Sequence, residues 1–242
     1  MLPENGYNPR QSSKKITVAN IAVISLSLWC MKVLITAGPT QEPIDPVRFI
    51  SNHSSGKMGI AIAEEFAARG HDVVLIKGPT ELKSSSPKVK EVPVTTAAEM
   101  FDSCAQYFGS SDVIVFAAAV ADYTPKYPSQ TKLKKKEDEL FIELVKTKDI
   151  AGELGRQKKP GQFLVGFALE TDNEMAHAQE KLKKKNLDFI VLNSVRDEGA
   201  GFKFDTNKIS IIDKDGNTVK FDLKSKTEVA KDLVNYVEKM IN

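Results

Sequence analysis

Val113-Ile114-Val115-Phe116-Ala117 is an uninterrupted apolar run that is rich in β-branched residues. Such a run predicts a central parallel strand whose two faces are both buried. Helical spacing predicts a helix over Ala97–Phe108, directly before this strand. A buried strand that follows a helix is typical of a sheet with helices packed on its faces.

Strand and helix signals alternate on both sides of this run. Gly56 to Arg69 shows helical spacing of apolar residues, with Ser54 or Ser55 as a possible N-cap. Asp215-Gly216 between two short strands predicts an antiparallel hairpin near the C-terminus. Other strands are predicted over residues 33–36, 72–76, 140–145, 163–168, 189–192, 208–212 and 218–221, and other helices over 148–157, 173–185 and 225–240. The predicted fold class is α/β: a Rossmann-like, doubly wound, mainly parallel sheet with helices on both faces.

Composition sets limits on function. The 242 residues are 41% hydrophobic and 27% charged, which suits one α/β domain with a substantial core. Lys and Arg number 34 against 32 Asp and Glu, and this balance argues against a dedicated nucleic-acid binder. Cys30 and Cys104 are too few for a disulfide framework and fit a reducing compartment such as the cytoplasm. No apolar stretch reaches the roughly 20 residues that a membrane span needs.

The first thirty residues differ from the rest. A polar, basic stretch with Lys14 and Lys15 precedes an apolar run over residues 16–30, which resembles a secretory signal. The alternative is an upstream extension or a start codon assigned too early, with Met31 as the natural start. We therefore predict an N-terminal extension over residues 1–30 and one domain over residues 31–242.

The loop after the first strand is the most informative. Ligands of doubly wound sheets bind at the carboxyl ends of strands, near the point where the strand order reverses. The small and hydroxylated residues from 51 to 59 precede a helix, whose N-terminus attracts anions, so the loop is predicted to bind phosphate. Gly56-Lys57 fits neither G-x-G-x-x-G nor the P-loop, and no acid follows Ile76 to hold a ribose. The alternative is a long capped turn whose polar residues only hydrogen-bond to backbone groups and bind no ligand.

Two further loops follow predicted strands. Small residues from Ala117 to Ala121 would let a planar ligand approach the backbone, and the later run 132–136 predicts either a basic flap or a solvated face. The third loop begins at Gly166 and leads to a lysine-rich helix. Lys181 and Lys185 are four residues apart, so both project from one helix face, towards an anion or towards solvent.

Five motifs occur in the same order as in a known family: Ala-Gly-Pro-Thr from residue 37, Asp-Pro-Val-Arg-Phe-Ile-Ser-Asn-His-Ser-Ser-Gly-Lys-Met-Gly from 45, Ala-Ala-Val-Ala-Asp-Tyr from 118, Lys-Leu-Lys-Lys from 132 and Gly-Phe-Ala-x-Glu-Thr from 166. Together they resemble phosphopantothenoylcysteine synthetase, the phosphopantothenate–cysteine ligase of coenzyme A biosynthesis. The resemblance covers residue 31 to the C-terminus. In bacteria this ligase is often the C-terminal half of a bifunctional protein with a decarboxylase, so the chain is either a free-standing synthetase or a fragment.

The resemblance implies a two-step reaction. The carboxylate of 4′-phosphopantothenate attacks the α-phosphate of CTP, which gives an acyl-cytidylate and pyrophosphate. The amine of cysteine then displaces CMP and forms the amide. CTP is thus a co-substrate, and Mg²⁺ is expected to arrive on the triphosphate.

The resemblance also assigns roles to residues. Asn52 and Lys132 would be catalytic, since Asn52 holds the acyl-phosphate group and Lys132 neutralises charge at the reacting phosphates. Arg48 would reach the phosphopantothenate site across a dimer interface, beside Asn52, His53 and Ser54. The expected nucleotide contacts are Gly38, Ala118, Asp122, Lys132, Lys148, Asp149, Ile150, Phe167, Lys181 and Lys185. Thr147-Lys148 replaces the usual asparagine-proline pair, so side-chain contacts at that turn are less secure than backbone contacts.

Partners and competing functions follow from the same residues. We expect small-molecule substrates, a homodimer with Arg48 and residues 51–59 at a two-fold interface, and no nucleic acid or membrane. The three histidines form no metal-ligand set, so no protein-only metal site is predicted. An NADP-dependent oxidoreductase is the alternative enzyme, and a nucleic-acid binder using the lysine runs is the alternative outside enzymes. The residues alone leave the choice between CTP and ATP open.

Overall fold

The protein is described from a computed structural model that covers residues 30–134, 139–170, 173–194 and 204–241. The predicted N-terminal extension apart from Cys30, the lysines at 135 and 136, and Thr171 lie outside the described residues. The strands are β1 (Lys32–Ala37), β2 (Gln41–Pro43), β3 (Phe49–Ser51), β4 (Asp72–Lys77), β5 (Val89–Pro93), β6 (Val113–Phe116), β7 (Tyr123–Pro125), β8 (Leu144–Lys146), β9 (Phe163–Glu170), β10 (Phe189–Ser194), β11 (Thr206–Asn207), β12 (Ile209–Asp213), β13 (Thr218–Lys220) and β14 (Lys224–Ser225). The helices are α1 (Lys57–Ala68), α2 (Ala97–Phe108), α3 (Ile150–Arg156), α4 (Glu174–Lys184) and α5 (Lys226–Ile241).

The central sheet has the strand order β13-β12-β10-β9-β6-β1-β4-β5. The six strands from β10 to β5 run parallel, whereas β12 pairs antiparallel with both β10 and β13. This confirms the mainly parallel sheet and the C-terminal hairpin. The chain moves from β1 outwards to β5 and then crosses to β6 on the other side of β1. The strand order therefore reverses between β1 and β6, where a ligand cleft is expected.

Helices cover both faces of the sheet. Phe66 of α1 and Val234 of α5 belong to the core on one face, while Met100 of α2 and Leu182 of α4 belong to the core on the other. All four residues of β6 are buried, as the apolar run predicted. Cys104 is also buried, and desolvation raises the pKa of its thiol to about 12. No helix in the described part of the chain combines the length and apolar character that a bilayer crossing requires.

Two local predictions were wrong. The strand predicted over residues 140–145 is confined to Leu144–Lys146, which pairs antiparallel with β7 outside the main sheet. The residues of β8 are all exposed, unlike those of the central strands of the main sheet. Neither Ser54 nor Ser55 caps α1. Gly56 is the N-cap, because its φ of 78° lies in the left-handed region that glycine tolerates best.

Candidate active site

A cleft of about 640 Å³ opens at the carboxyl ends of β1 and β6, where the strand order reverses. Thr36 and the residues from Phe116 to Val120 form its central part. The main-chain N–H of Ala118 donates to Oγ1 of Thr36 at 3.2 Å, which joins the ends of the two strands. The cleft lies where doubly wound sheets bind their ligands.

The N-terminus of α1 forms one side of the cleft. Ser54, Ser55 and the residues from Gly56 to Gly59 line it. A Cβ on Gly59 would lie 2.6 Å from the Cβ of Ala37, so glycine lets the first turn approach β1 closely. The positive end of the helix dipole and the first-turn N–H groups therefore face a region suited to an anion.

A group of lysines, the basic wall, lies on the other face of the sheet, where α3 begins and α4 ends. Lys185 Nζ lies 2.8 Å from Oδ1 of Asp149, and the same carboxylate oxygen accepts the N–H of Gly152 at 3.1 Å as the N-cap of α3. Burial alone would raise the pKa of Asp149, but Lys185 and the cap hold that pKa below its usual value. Lys148 Nζ lies 4.3 Å from the centre of the Phe101 ring. The side chain of Lys148 thus packs on α2 as well as lining the cleft.

Asn52 and Arg48 belong to the chain segment before α1 and are not among the residues that line the cleft. Asn52 Nδ2 donates to the carbonyl oxygens of Ala119 and Val120 at 3.1 Å each. Arg48 Nε donates to the buried carboxylate of Asp45 at 3.0 Å, and its Nη2 donates to the carbonyl of Leu133 at 3.2 Å. The loop before α1 is therefore tied to the residues after β6 and to the start of the lysine run.

Asp45 organises this connection. Its carboxylate accepts the N–H groups of Val47 and Arg48 at 2.9 Å each and that of Leu133 at 3.1 Å. The side-chain hydrogen bond from Arg48 holds the pKa of Asp45 well below its usual value. The position of Leu133, and hence of the backbone beside Lys132, is fixed by one carboxylate.

The structure brings together most of the residues assigned from the sequence, and others lie outside the cleft wall. Those that line the cleft are Ser54, Ala118, Asp122, Lys148, Asp149, Ile150, Phe167, Lys181 and Lys185. Those that do not are Gly38, Arg48, Asn52, His53 and Lys132. Gly38 packs directly against Gly56, since a Cβ on Gly56 would be 3.1 Å from the Cα of Gly38. Lys132 is exposed, next in sequence to Leu133, which Asp45 and Arg48 hold.

Several lining residues were given no site role from the sequence, among them Lys57, Asn193, Asn207 and Lys226. Asn193 directly follows the strand predicted over residues 189–192, so the rule that ligands bind at strand ends could have found it. Lys57 was included in the predicted phosphate-binding loop over residues 51–59, but it was given no role of its own. Asn207 and Lys226 carry no local signal, because only the tertiary fold brings β11 and α5 to the cleft.

The described residues contain no group of three or more His, Cys, Asp or Glu side chains placed to hold a metal ion. A doubly wound α/β sheet with a lysine-lined cleft at its switch point defines a Rossmann-like protein. The sequence profile of the DNA/pantothenate metabolism flavoprotein C-terminal domain matches residues 28–241. The chain belongs to this family.

Similar proteins support the same assignment. A cysteine/cysteine sulfinic acid decarboxylase from an unknown prokaryotic organism is 53% identical over 211 residues, which are 87% of this chain and 59% of that protein. The coenzyme A biosynthesis bifunctional protein CoaBC of Bacillus subtilis is 44% identical over 205 residues, 85% of this chain and 50% of that protein. The crystal structure of a CoaBC C-terminal domain is 42% identical with a TM-score of 0.74, covering 88% of this chain and 98% of that domain. The chain thus spans little more than half the length of the curated relatives.

Proposed function

We propose that this chain is a ligase that joins 4′-phosphopantothenate to cysteine with CTP through an acyl-cytidylate, releasing pyrophosphate and CMP. One observation supports it above all. The family motif from Asn52 to Gly59 meets the end of β6 at a cleft with lysines on both sides of the sheet. The similarity of nearly the whole chain to a CoaBC C-terminal domain points to the same chemistry.

The cleft suits the chemistry of carboxylate activation. A carboxylate is a poor electrophile, and an amine would form an ion pair with it instead of attacking it. Attack of the carboxylate on the α-phosphate builds negative charge on the phosphates. The N-terminus of α1, Lys181 and Lys185 can stabilise this charge. Phe167 offers an aromatic face for the base, and the small residues at Ala118 and Ala119 allow close approach of the ligand.

Magnesium would enter with the nucleotide. Asp122 is an exposed carboxylate in the cleft wall. A single carboxylate together with phosphate oxygens suits Mg²⁺, which usually keeps several waters. We propose that the ion neutralises the triphosphate while the cleft lysines orient it.

A homodimer is part of the proposal. Exposed apolar side chains cluster on the two neighbouring hairpins β2–β3 and β7–β8 and on the segment before β8. They are Val47, Phe49, Tyr123, Tyr127, Leu140, Phe141 and Leu144. Several large exposed apolar side chains on neighbouring hairpins are typical of a protein interface. A second copy covering it would lie against Arg48, in line with the proposed role of that residue across a two-fold axis.

The end of β4 argues against the alternative function, an NADP-dependent oxidoreductase. β4 ends at Lys77, whose ammonium pairs with Glu91 at 2.7 Å, so a basic residue stands where a dinucleotide site would place an acid. This disfavours the oxidoreductase.

One relative carries the name of a decarboxylase, but 41% of that protein lies outside the match, and decarboxylation is not proposed for this chain. Two free cysteines, one of them buried, are in keeping with the proposed cytoplasmic location.

Pyrophosphate release tests the proposed function directly. The chain is incubated with CTP, ATP, GTP or UTP and Mg²⁺, with and without 4′-phosphopantothenate and cysteine. We expect release with CTP that depends on 4′-phosphopantothenate, and amide product only when cysteine is added. A rise of the melting temperature with NADP(H) but not with CTP would support the oxidoreductase and overturn the ligase.

A further inference from the structure

Thr80 forms a hydrogen bond that reaches the loop in front of α1. It follows the end of β4, and its hydroxyl donates to the main-chain carbonyl of Ser55 at 2.8 Å. Ser54, Ser55 and Gly56 line the cleft, whereas Thr80 is not among the described residues that do so. The carbonyl of Ser55 is therefore held by a residue outside the cleft wall.

The orientation of the peptide between Ser55 and Gly56 follows from this contact. A trans peptide is planar, and its C=O and N–H groups point in opposite directions. Because the carbonyl faces Thr80, the N–H of Gly56 points away from Thr80, and it donates to Oγ of Ser54 at 3.3 Å. This bond is long for an N–H donor, so a phosphate oxygen could replace it. The last peptide before α1 thus presents its N–H, and not its oxygen, on the side of a residue that lines the cleft.

Gly56 also makes the opposite orientation accessible. Its φ of 78° lies in the left-handed region, and turning the preceding peptide over would move φ to a negative value, which glycine adopts about as readily. The reversed peptide would direct the carbonyl oxygen of Ser55 to the side where its N–H partner now lies. The partial negative charge of that oxygen would repel a phosphate. The backbone alone does not decide between the two orientations, so a side-chain contact has to.

Thr80 is itself held in place. Its Oγ1 accepts the N–H of Leu82 at 3.2 Å, which leaves the hydroxyl proton for Ser55. Lys77 is only 7% exposed, donates to the carbonyl of Leu82 at 2.8 Å and pairs with Glu91 at 2.7 Å. A chain of hydrogen bonds therefore runs from a buried lysine at the end of β4 to the loop before α1.

We propose that Thr80 is a positioning residue, which fixes the peptide between Ser55 and Gly56 with its N–H towards a phosphoryl group bound at the N-terminus of α1. The role rests on the proposed function, and it adds to that site a residue outside the five family motifs. The phosphoryl group belongs to the nucleotide or to 4′-phosphopantothenate, which share this chemistry. Without the hydroxyl both peptide orientations are populated, and the apparent affinity falls with the fraction that can bind phosphate.

The test is calorimetric binding with two variants, Thr80→Val, which keeps the shape but removes the hydroxyl, and Thr80→Ser, which keeps the hydroxyl. The ligands are CTP, cytidine, 4′-phosphopantothenate and pantothenate. We expect Thr80→Val to bind CTP, 4′-phosphopantothenate or both roughly 3- to 10-fold more weakly, as the loss of one neutral hydrogen bond implies, with cytidine and pantothenate unchanged. Thr80→Ser should stay within about twofold of the wild type. A loss for CTP alone assigns the loop to the nucleotide, and a loss for 4′-phosphopantothenate alone assigns it to the acid.

Thr96→Val is the matched control. The side chain of Thr96 accepts the N–H of Glu99 at 3.2 Å as the N-cap of α2, and Thr96 is not among the described residues that line the cleft. Valine therefore removes a threonine hydroxyl and a helix cap away from the loop before α1. We expect this variant to melt at a lower temperature but to bind all four ligands as the wild type does.

Wild-type affinities of Thr80→Val for CTP and 4′-phosphopantothenate would overturn the proposal. So would equal weakening of the phosphorylated and unphosphorylated ligands, a Thr80→Ser variant as weak as Thr80→Val, or the same phosphate-specific loss in Thr96→Val. If the wild type binds CTP and 4′-phosphopantothenate but forms no amide, the proposed function fails while the affinities still decide the role of Thr80. A wild type that binds neither compound overturns both.

Discussion

Asn52 Nδ2 lies 3.1 Å from the main-chain carbonyl oxygen of Ala119. The same nitrogen donates to the carbonyl oxygen of Val120, also at 3.1 Å. The amide therefore joins the loop before α1 to the segment after β6, the two segments that flank the switch point of the sheet. Any ligand at the end of β6 would contact a backbone that Asn52 holds in place.

Replacing Asn52 by Asp tests its part in the second step. A carboxylate would face two carbonyl oxygens and place negative charge beside an anionic acyl-phosphate. We expect Asn52→Asp to release pyrophosphate but to yield little amide. Both products are measured in the same sample, so each serves as the reference for the other. Normal amide yield would contradict the assigned role.

The apolar hairpin surface predicts the oligomeric state. Phe49 is 50% exposed and Phe141 is 87% exposed, and a charge on either would be desolvated in a dimer. We expect light scattering to show a dimer for the wild type and a monomer for Phe141→Asp. Leu223→Asp is the control, because Leu223 is 46% exposed and lies in the segment between β13 and β14. A fully active wild-type monomer at micromolar concentration would exclude the interface.

The pair between Asp149 and Lys185 predicts a pH dependence of stability. Because the folded-state pKa of Asp149 is lowered, its ionised form stabilises the fold above the ordinary value of 3.8, and this contribution is lost as the pH falls through the lower folded value. Asp149→Asn keeps an oxygen for the α3 cap, whereas Asp149→Ala removes it. We expect urea unfolding at pH 7 to show a loss of about 1 kcal/mol for Ala and less for Asn. The difference between wild type and Asn should shrink towards pH 3. Equal stability of all three proteins at pH 7 would show that neither contact matters.

Much of the fold could be predicted from the sequence, because the signals for its strands and helices lie within short stretches of the chain. The apolar run from Val113 identified the central strand, because burial on both faces leaves no polar position in the sequence. Leu140 and Phe141 gave the same kind of signal, but their apolar side chains are exposed on the segment before β8, and the sequence of one chain does not show what covers them. The site was predictable where it follows a strand end, as at Ala118 and Phe167. Lys226 was not, since only the docking of α5 brings it to the cleft.

Gly59 predicts a steric limit on the close approach of α1 to β1. A Cβ on Gly59 would lie 2.6 Å from the Cβ of Ala37. Both residues are buried in regular elements, Gly59 in α1 and Ala37 in β1. We expect Gly59→Ala to destabilise the protein by about 1–3 kcal/mol in urea unfolding, despite the better helix propensity of alanine. In the control Gly109→Ala, the new Cβ meets only the flexible end of Lys159 at 3.2 Å. A loss at Gly109 as large as that at Gly59 would rule out the steric explanation.

The last prediction concerns Lys132, which directly precedes Leu133 in the chain. Asp45 and Arg48 fix Leu133 through hydrogen bonds to its N–H and carbonyl groups, and so hold the backbone from which Lys132 extends. Attack of the carboxylate on the α-phosphate, with departure of pyrophosphate, builds negative charge on the phosphates, and we expect the ammonium group of Lys132 to offset it. Lys132→Gln keeps polarity and approximate length but removes the charge.

Loss of one well-placed charged donor at a transition state lowers the rate roughly 100- to 1,000-fold. The loss from Lys132→Gln should appear in pyrophosphate release before cysteine is added, in contrast to Asn52→Asp. Lys134→Gln is the matched control, because Lys134 is also exposed and lies two residues further along the same run. Its rate should stay within a few-fold of the wild type, as expected of a solvated surface lysine. Formation of acyl-nucleotide at the normal rate by Lys132→Gln, or an equal loss with Lys134→Gln, would refute a specific role for Lys132.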